Sequence, residues 1–237
     1  YFKIDYVRKA IREGDWKSRI YKVAYRPFDY RFIYWHPELY DVGRGASSKK
    51  VMRHLFQPNI AMITSRMTKG ELFAHAFVSR HPVEVIFLSS KTSNNAFVFP
   101  KIYYPNPAKE KQISIDTPMV MDNFSPDFLK SLSLAIGENL DSNGFSQREN
   151  RDDIFNYLYS VLYSRQLRSR YADLLTIDFP RLPLPRSRDL FIKLSKNGNE
   201  LVNLHLLETS SLKPFITTIV GVGDFKIEKI IYSDETV

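Results

Sequence analysis

Between residues 20 and 103 the apolar residues come in short strings. Segments 20–26, 31–35, 60–65, 72–79, 83–88 and 96–103 are rich in β-branched and aromatic side chains. The turn-forming groups Pro27-Phe28-Asp29, Lys69-Gly70, His81-Pro82 and Ser89 to Asn95 separate them. Strings this short, bounded by such residues, read as strands. Pro100 marks a break or an edge position in the last of them. Tyr30, Phe32 and Tyr34 alternate, which reads as one face of a buried sheet.

The pattern changes period after residue 124. Ser125-Pro126 is an N-cap followed by a proline suited to a first helical turn, and Phe128, Leu132 and Ile136 line one face as far as Gly137. Asn150-Arg151-Asp152-Asp153 opens a helix carrying Ile154, Leu158, Val161 and Leu162 on one face, with early carboxylates favouring its dipole. A further helix is expected over 167–175. The three prolines of Asp178-Phe179-Pro180-Arg181-Leu182-Pro183-Leu184-Pro185 impose an extended path. Ser187 caps a helix to about Ser195, and the helical pattern resumes over 200–207 after Gly198.

Upstream, Ile4, Val7 and Ile11 form a stripe that ends at Gly14. Ser47 and Ser48 can cap a helix over 49–57, which Pro58 terminates. Segments 217–222 and 226–232 read as a closing hairpin. The fold class is therefore α+β (mixed α/β), a mostly β-sheet N-terminal part followed by a helical C-terminal part. Residues 1–18 are a helical connector and 19–210 the main domain: β-rich 19–104, linker 105–124, helical 125–210. Residues 211–237 close the chain with the hairpin and the start of a tail.

With 237 residues and 43% apolar content the chain can bury a full core. It has no cysteine, which removes disulfides and thiolate metal sites and fits a reducing cytoplasm. No stretch approaches eighteen apolar residues, so no membrane partner is expected. The charge is polarised. Residues 1–115 carry 20 basic and 9 acidic side chains, whereas 116–160 carry 3 and 8. A positive half suits a polyanion, and a solvated basic face is its ordinary alternative.

Several chemistries leave no trace. Asn106-Pro107-Ala108 and Ser125-Pro126-Asp127-Phe128 lack the second proline of the loop that holds a flipped base in amino-methyltransferases. No glycine-rich loop joins a strand to a helix, and there is no P-loop. The five histidines form no zinc spacing, so no metal site is expected. Asp15-Trp16-Lys17 and Asp224-Phe225-Lys226 have the acid-x-lysine spacing of metal nucleases, a spacing that also arises by chance in a charged chain. No catalytic residue is assigned.

What remains is a set of arginines, hydroxyls and amides at strand ends and in loops, groups that satisfy phosphates and base edges. These lie within Tyr25-Arg26-Pro27-Phe28-Asp29-x-Arg31, Val51-Met52-Arg53-His54, Ile63-Thr64-Ser65-Arg66, Phe73-Ala74-His75-Ala76-Phe77-Val78-Ser79 and Leu88-Ser89-Ser90-Lys91-Thr92-Ser93. That ordered series resembles the C-terminal specificity region of type ISP and related type IIG-like single-chain restriction–modification enzymes. Asp153-Ile154-Phe155-x-Tyr157, Leu162-Tyr163-Ser164, Arg168-x-Arg170-Tyr171-Ala172 and the proline-rich string from Asp178 resemble the helical end of the same region.

The resemblance implies a DNA target recognition domain in a larger chain, with residues 1–18 leading from an N6-adenine methyltransferase domain and a nuclease further upstream. It implies double-stranded DNA and that methyltransferase domain as partners, read through the major groove at an asymmetric site. The fragment itself needs no cofactor and is expected to be monomeric; the parent methyltransferase would use S-adenosylmethionine.

By residue chemistry, Arg44, Arg66, Lys69, Lys91, Asn94 and Asn95 are the base-reading candidates. Lys49, Lys50, Arg53, Ser65, Ser90 and Thr92 are the phosphate candidates, the first three near a helix N-terminus. Structural uses compete: Arg26 and Asp29 can pair across their own turn, and loop hydroxyls can satisfy backbone. A nuclease-type fragment with a carboxylate–lysine site and an interdomain scaffold are the alternative functions.

Overall fold

A computed structural model describes residues 4–36, 46–89, 94–105, 120–137, 148–208 and 223. Helix α1 (Ile4–Glu13) leads through a short 3-10 turn into strands β1 (Ile20–Arg26) and β2 (Asp29–Tyr34). Then follow α2 (Ala46–Met52), β3 (Ala61–Ser65), β4 (Ala76–Ser79), β5 (Ala96–Pro100), β6 (Ile102–Tyr103) and β7 (Met121–Asp122). The helical half holds α3 (Pro126–Ile136), α4 (Arg148–Leu162), α5 (Arg165–Arg170), α6 (Ala172–Ile177) and α7 (Arg188–Leu206). None of the described helices is long and apolar enough to cross a membrane.

The middle of the fold is an antiparallel three-stranded sheet in the order β4-β3-β5. All five residues of β3 are buried because both faces of the sheet are covered. Ala61 and Ile63 face a core shared with Ala24, Met52, Leu55, Phe77, Val83 and Phe87. Met62, with Ile60, Ala76 and Val78, faces the helical half and meets Phe155, Tyr159, Leu162 and Val202. A third cluster joins α3, α4 and α7 through Leu132, Ile154, Tyr157 and Phe191. The α+β architecture expected from the two periods is the one observed.

Local signals place several elements. Ser125 accepts a hydrogen bond from the Phe128 amide, Pro126 starts α3, and Gly137 ends it in the left-handed conformation. Ser164 and Ser187 cap α5 and α7 in the same way.

Other expectations are corrected. Residues 85–88 form a turn, in which the Phe87 amide donates to the Glu84 carbonyl at 3.1 Å. Val83 makes only an isolated parallel bridge to Ala24, and Glu84 accepts from the Ile86 amide through its side chain. In segment 72–79 only Ala76–Ser79 is strand. Segment 96–103 breaks at Lys101 into β5 and β6, and β6 pairs with the unforeseen β7. Segment 167–175 is divided between α5 and α6 at Tyr171. Phe32 is 73% exposed, so Tyr30, Phe32 and Tyr34 do not form a uniformly buried face. Arg26 pairs with Glu84 at 2.6 Å, and Asp29 pairs with Arg31 at 3.2 Å. The expected closing hairpin lies outside the described residues.

The largest helix departs from its sequence reading. Arg188–Leu206 is one helix that runs straight through Gly198. A Cβ at Gly198 would overlap the carbonyl of Asn156 and lie 3.0 Å from its Cα. Ser195, one turn earlier, donates to the Asp153 carbonyl at 2.8 Å. The glycine permits close approach of α7 to α4, and helix termination has no part in it.

His205, near the end of α7, packs 5.2 Å from the Phe77 ring and lies 2.6 Å from the Tyr159 hydroxyl through Nδ1. Burial lowers its pKa, and Arg168 lowers it further. A histidine depressed in the folded state binds its proton more readily when unfolded. Its contribution is complete above the unfolded pKa and declines as pH falls through that value. Thermal melts at pH 7 and pH 5 are expected to show a smaller loss on acidification for His205→Phe than for the parent; an identical loss would exclude this histidine as a source. His81, also depressed chiefly by burial, accounts for a part that persists.

Candidate nucleic-acid interface

At one end of the β4-β3-β5 sheet β3 finishes and β4 and β5 begin. β3 finishes at Ser65 and β5 begins at Ala96, and these two residues are register partners. Arg66 and Asn95, each one step beyond, are therefore neighbours across the strand pair, and both are exposed. Lys69, also exposed, occupies a turn with Gly70, whose φ of +69° suits glycine. Three of the sequence-derived base-reading candidates thus meet at one edge.

Arg66 donates from Nε to Asp178 at 3.1 Å. The Asp178 carboxyl is held below its ordinary pKa, first by the Phe179 backbone amide and then by Arg66. Among the described residues this bond engages only Nε, so the terminal nitrogens of the fork keep the donors that a base edge or phosphate accepts.

Asn94 lies inside the fold. It is completely buried: Oδ1 accepts from the Lys69 amide at 2.9 Å, and Nδ2 donates to Glu71 at 2.7 Å. Ser65 is equally buried, at 0% exposure. In this fold neither presents its polar group at the surface. Arg44, Ser90, Lys91 and Thr92 lie outside the described residues.

The helical phosphate candidates are elsewhere. Lys50 is exposed on α2, Lys49 is half-buried beside it, and Arg53 stacks 5.3 Å from the Tyr103 ring. Tyr103 follows the end of β5 that pairs with Ala61, so Arg53 is at the opposite end of β3 from Arg66. Five strand residues separate those ends by about 13 Å.

Sequence reasoning missed the group that organises the edge. Glu71 Oε2 accepts from His75 Nε2 at 2.8 Å, Ser89 Oγ at 2.9 Å and Asn94 Nδ2 at 2.7 Å. Thr68 Oγ1 donates to the Glu71 carbonyl at 2.8 Å, and the Thr68 amide donates to Thr176 on α6 at 3.0 Å. The signal available was the acid–histidine spacing Glu71-x-x-x-His75 directly after a Lys-Gly turn.

A cleft of about 490 Å³ lies beside this edge, lined by Tyr171, Leu174, Ile177, Asp178, Phe179 and Arg181 among others. Asp15 and Lys17 are exposed, and among the described residues no group of three or more His, Asp or Glu side chains is placed to hold a metal ion. Asp224 and Lys226 lie outside the described residues.

The model of the Type ISP C-terminal specificity domain matches residues 3–237. The chain belongs to that family. The fold is similar to that in the cryo-EM structure of a DrdV–DNA complex, with TM-score 0.61 and 21% identity over 80% of this chain. It is also similar to the Type ISP restriction-modification enzyme LlaBIII bound to DNA, with TM-score 0.59 and 22% identity over 87%. A nuclease-deletion mutant of the Type ISP enzyme LlaGI, in complex with a DNA substrate mimic, gives TM-score 0.54 and 24% identity over 80%. The matched parts amount to 16%, 12% and 14% of those chains respectively. No curated protein matches the sequence. The chain thus spans only a minor part of the length of each of those chains.

Proposed function

We propose that this specificity domain reads DNA sequence and directs an adjacent N6-adenine methyltransferase and an endonuclease to an asymmetric site. The observation carrying this reading is the convergence of Arg66, Lys69 and Asn95 at one end of the β3–β5 pair. Arginine matches guanine in the major groove bidentately, an asparagine amide matches adenine, and lysine serves either guanine or phosphate. Residues 19–210 form the recognising module, and α1 belongs to the connection with the methyltransferase, whose S-adenosylmethionine would be bound outside this chain. Lys50, exposed on α2, acts on phosphate.

The test is an anisotropy titration of the full-length parent against its recognition duplex over a range of salt. Affinity is expected to fall by about 0.9 log units per neutralised phosphate for each tenfold rise in salt. Arg66→Ala is expected to relax the preference at one base pair, worth about 1–3 kcal/mol. Lys50→Ala is expected to weaken all duplexes alike and flatten the salt slope by about one phosphate. Unchanged discrimination at every position in Arg66→Ala would remove this edge from the recognition surface.

A further inference from the structure

We propose that Glu71 is the positioning residue of the recognition edge: one carboxylate oxygen fixes the spacing between the β3 turn and the start of β5. This deepens the reading above and rests on it.

The three donors come from separate parts of the chain. His75 leads into β4, Ser89 follows the turn after Val83, and Asn94 stands two residues before β5. The His75 ring is 4% exposed and accepts from the Ala74 amide through Nδ1 at 3.3 Å, which leaves Nε2 as the donor to Glu71. Asn94 then passes the constraint on, because its Oδ1 accepts from the amide of Lys69.

The path from Glu71 to the surface is short. Asn94 is joined by a single peptide bond to Asn95, and Lys69 lies two residues before Glu71. Both exposed candidates are thus fixed through neighbours of one carboxylate. Arg66 stands beside Asn95 through the strand register. An ionised carboxylate oxygen accepts from several donors at once with charge assistance, whereas the neutral oxygen of a carboxamide has two lone pairs for the three donors and accepts from each more weakly. Glutamine at this position keeps the shape and weakens the clamp. Base reading depends on the relative placement of side chains, whereas phosphate attraction tolerates ångström-scale displacement; the two are therefore expected to separate when the clamp is removed.

The experiment compares Glu71→Gln, Ser89→Ala and Arg66→Ala in the full-length parent enzyme. Methylation is measured on the recognition duplex and on single-substitution duplexes, with binding to unrelated duplex across salt and hydrogen exchange of the Lys69 amide without DNA. For Glu71→Gln the ratio of kcat/KM between recognition and substituted duplexes is expected to fall about tenfold. Unrelated-duplex affinity and salt slope stay at parental values, and Lys69 exchange accelerates. Ser89→Ala, which removes one of the three donors among the described residues and leaves the carboxylate, shows a smaller shift in the same direction and serves where Glu71→Gln fails to fold. If Arg66→Ala relaxes discrimination while both clamp variants retain it, the positioning role is overturned and the DNA reading stands. If none of the three relaxes discrimination, the reading of this edge falls, and the role of Glu71 with it. Parental Lys69 exchange in Glu71→Gln overturns the clamp irrespective of DNA.

Discussion

Gly198→Ala is expected to destabilise the domain by about 3 kcal/mol, although alanine is the better helix former by about 1 kcal/mol. The sign depends on which effect dominates. Local propensity acts on a residue in the interior of a nineteen-residue helix and favours the substitution. Against it stands backbone, since the added Cβ would overlap the carbonyl of Asn156 in α4. A flexible side chain could turn aside, but a helical carbonyl moves only with its helix. Both α4 and α7 are tied into the cores, through Ile154, Phe155 and Tyr159 on one side and Phe191 and Val202 on the other. Separating them also stretches the Ser195–Asp153 bond. Urea denaturation and thermal melting measure the result, with Tm expected to fall by about 10 °C for a chain of this size. An unchanged or higher Tm would mean that the two helices part without cost, and the tight crossing would lose its structural role.

Gly198 also marks how far the sequence could be read. Glycine carries a local meaning, a helix end, and a tertiary one, close approach. Without the partner helix only the first is visible, so residues 188–206 read as two segments. Elements whose signals are local were legible: Ser125, Pro126 and Gly137 bound α3, and the apolar string 60–65 overlaps the buried strand Ala61–Ser65. Segment 83–88 misled because β-branched and aromatic residues suit a strand, while the bonds from the Phe87 amide to the Glu84 carbonyl and from the Ile86 amide to the Glu84 carboxylate make a turn. At the candidate interface the residue types were legible and their arrangement was not. The nearness of Arg66 to Asn95 follows from the pairing of Ser65 with Ala96, which composition does not encode. Asn94 and Asn95 look alike in sequence; one is buried against Glu71 and the other is exposed. Glu71 went unread because its donors are supplied from 4, 18 and 23 residues away.

Asn59→Asp is expected to cost a similar amount, about 3 kcal/mol at neutral pH, with almost no change in side-chain volume. Asn59 is 6% exposed and uses both ends of its amide. Nδ2 donates to the carbonyls of His54 at 3.0 Å and Ile102 at 2.8 Å. Oδ1 accepts from the amides of Ile60 at 2.8 Å and Ile102 at 3.1 Å. One side chain thereby joins the turn after α2, the approach to β3 and the start of β6. An aspartate keeps the acceptor side and loses both donors. Two backbone carbonyls then face a carboxylate, and its negative charge is buried beside them. Burial raises the pKa of that carboxyl in the folded state, so the folded form binds a proton that the unfolded form releases. The deficit relative to the parent is therefore largest above the folded-state pKa and shrinks as pH falls, because the protonated acid regains one O–H donor. Urea denaturation of both proteins at pH 7 and pH 5 separates the causes. A deficit that narrows at pH 5 assigns the loss to the missing donors and the buried charge; one that ignores pH would assign it to packing instead.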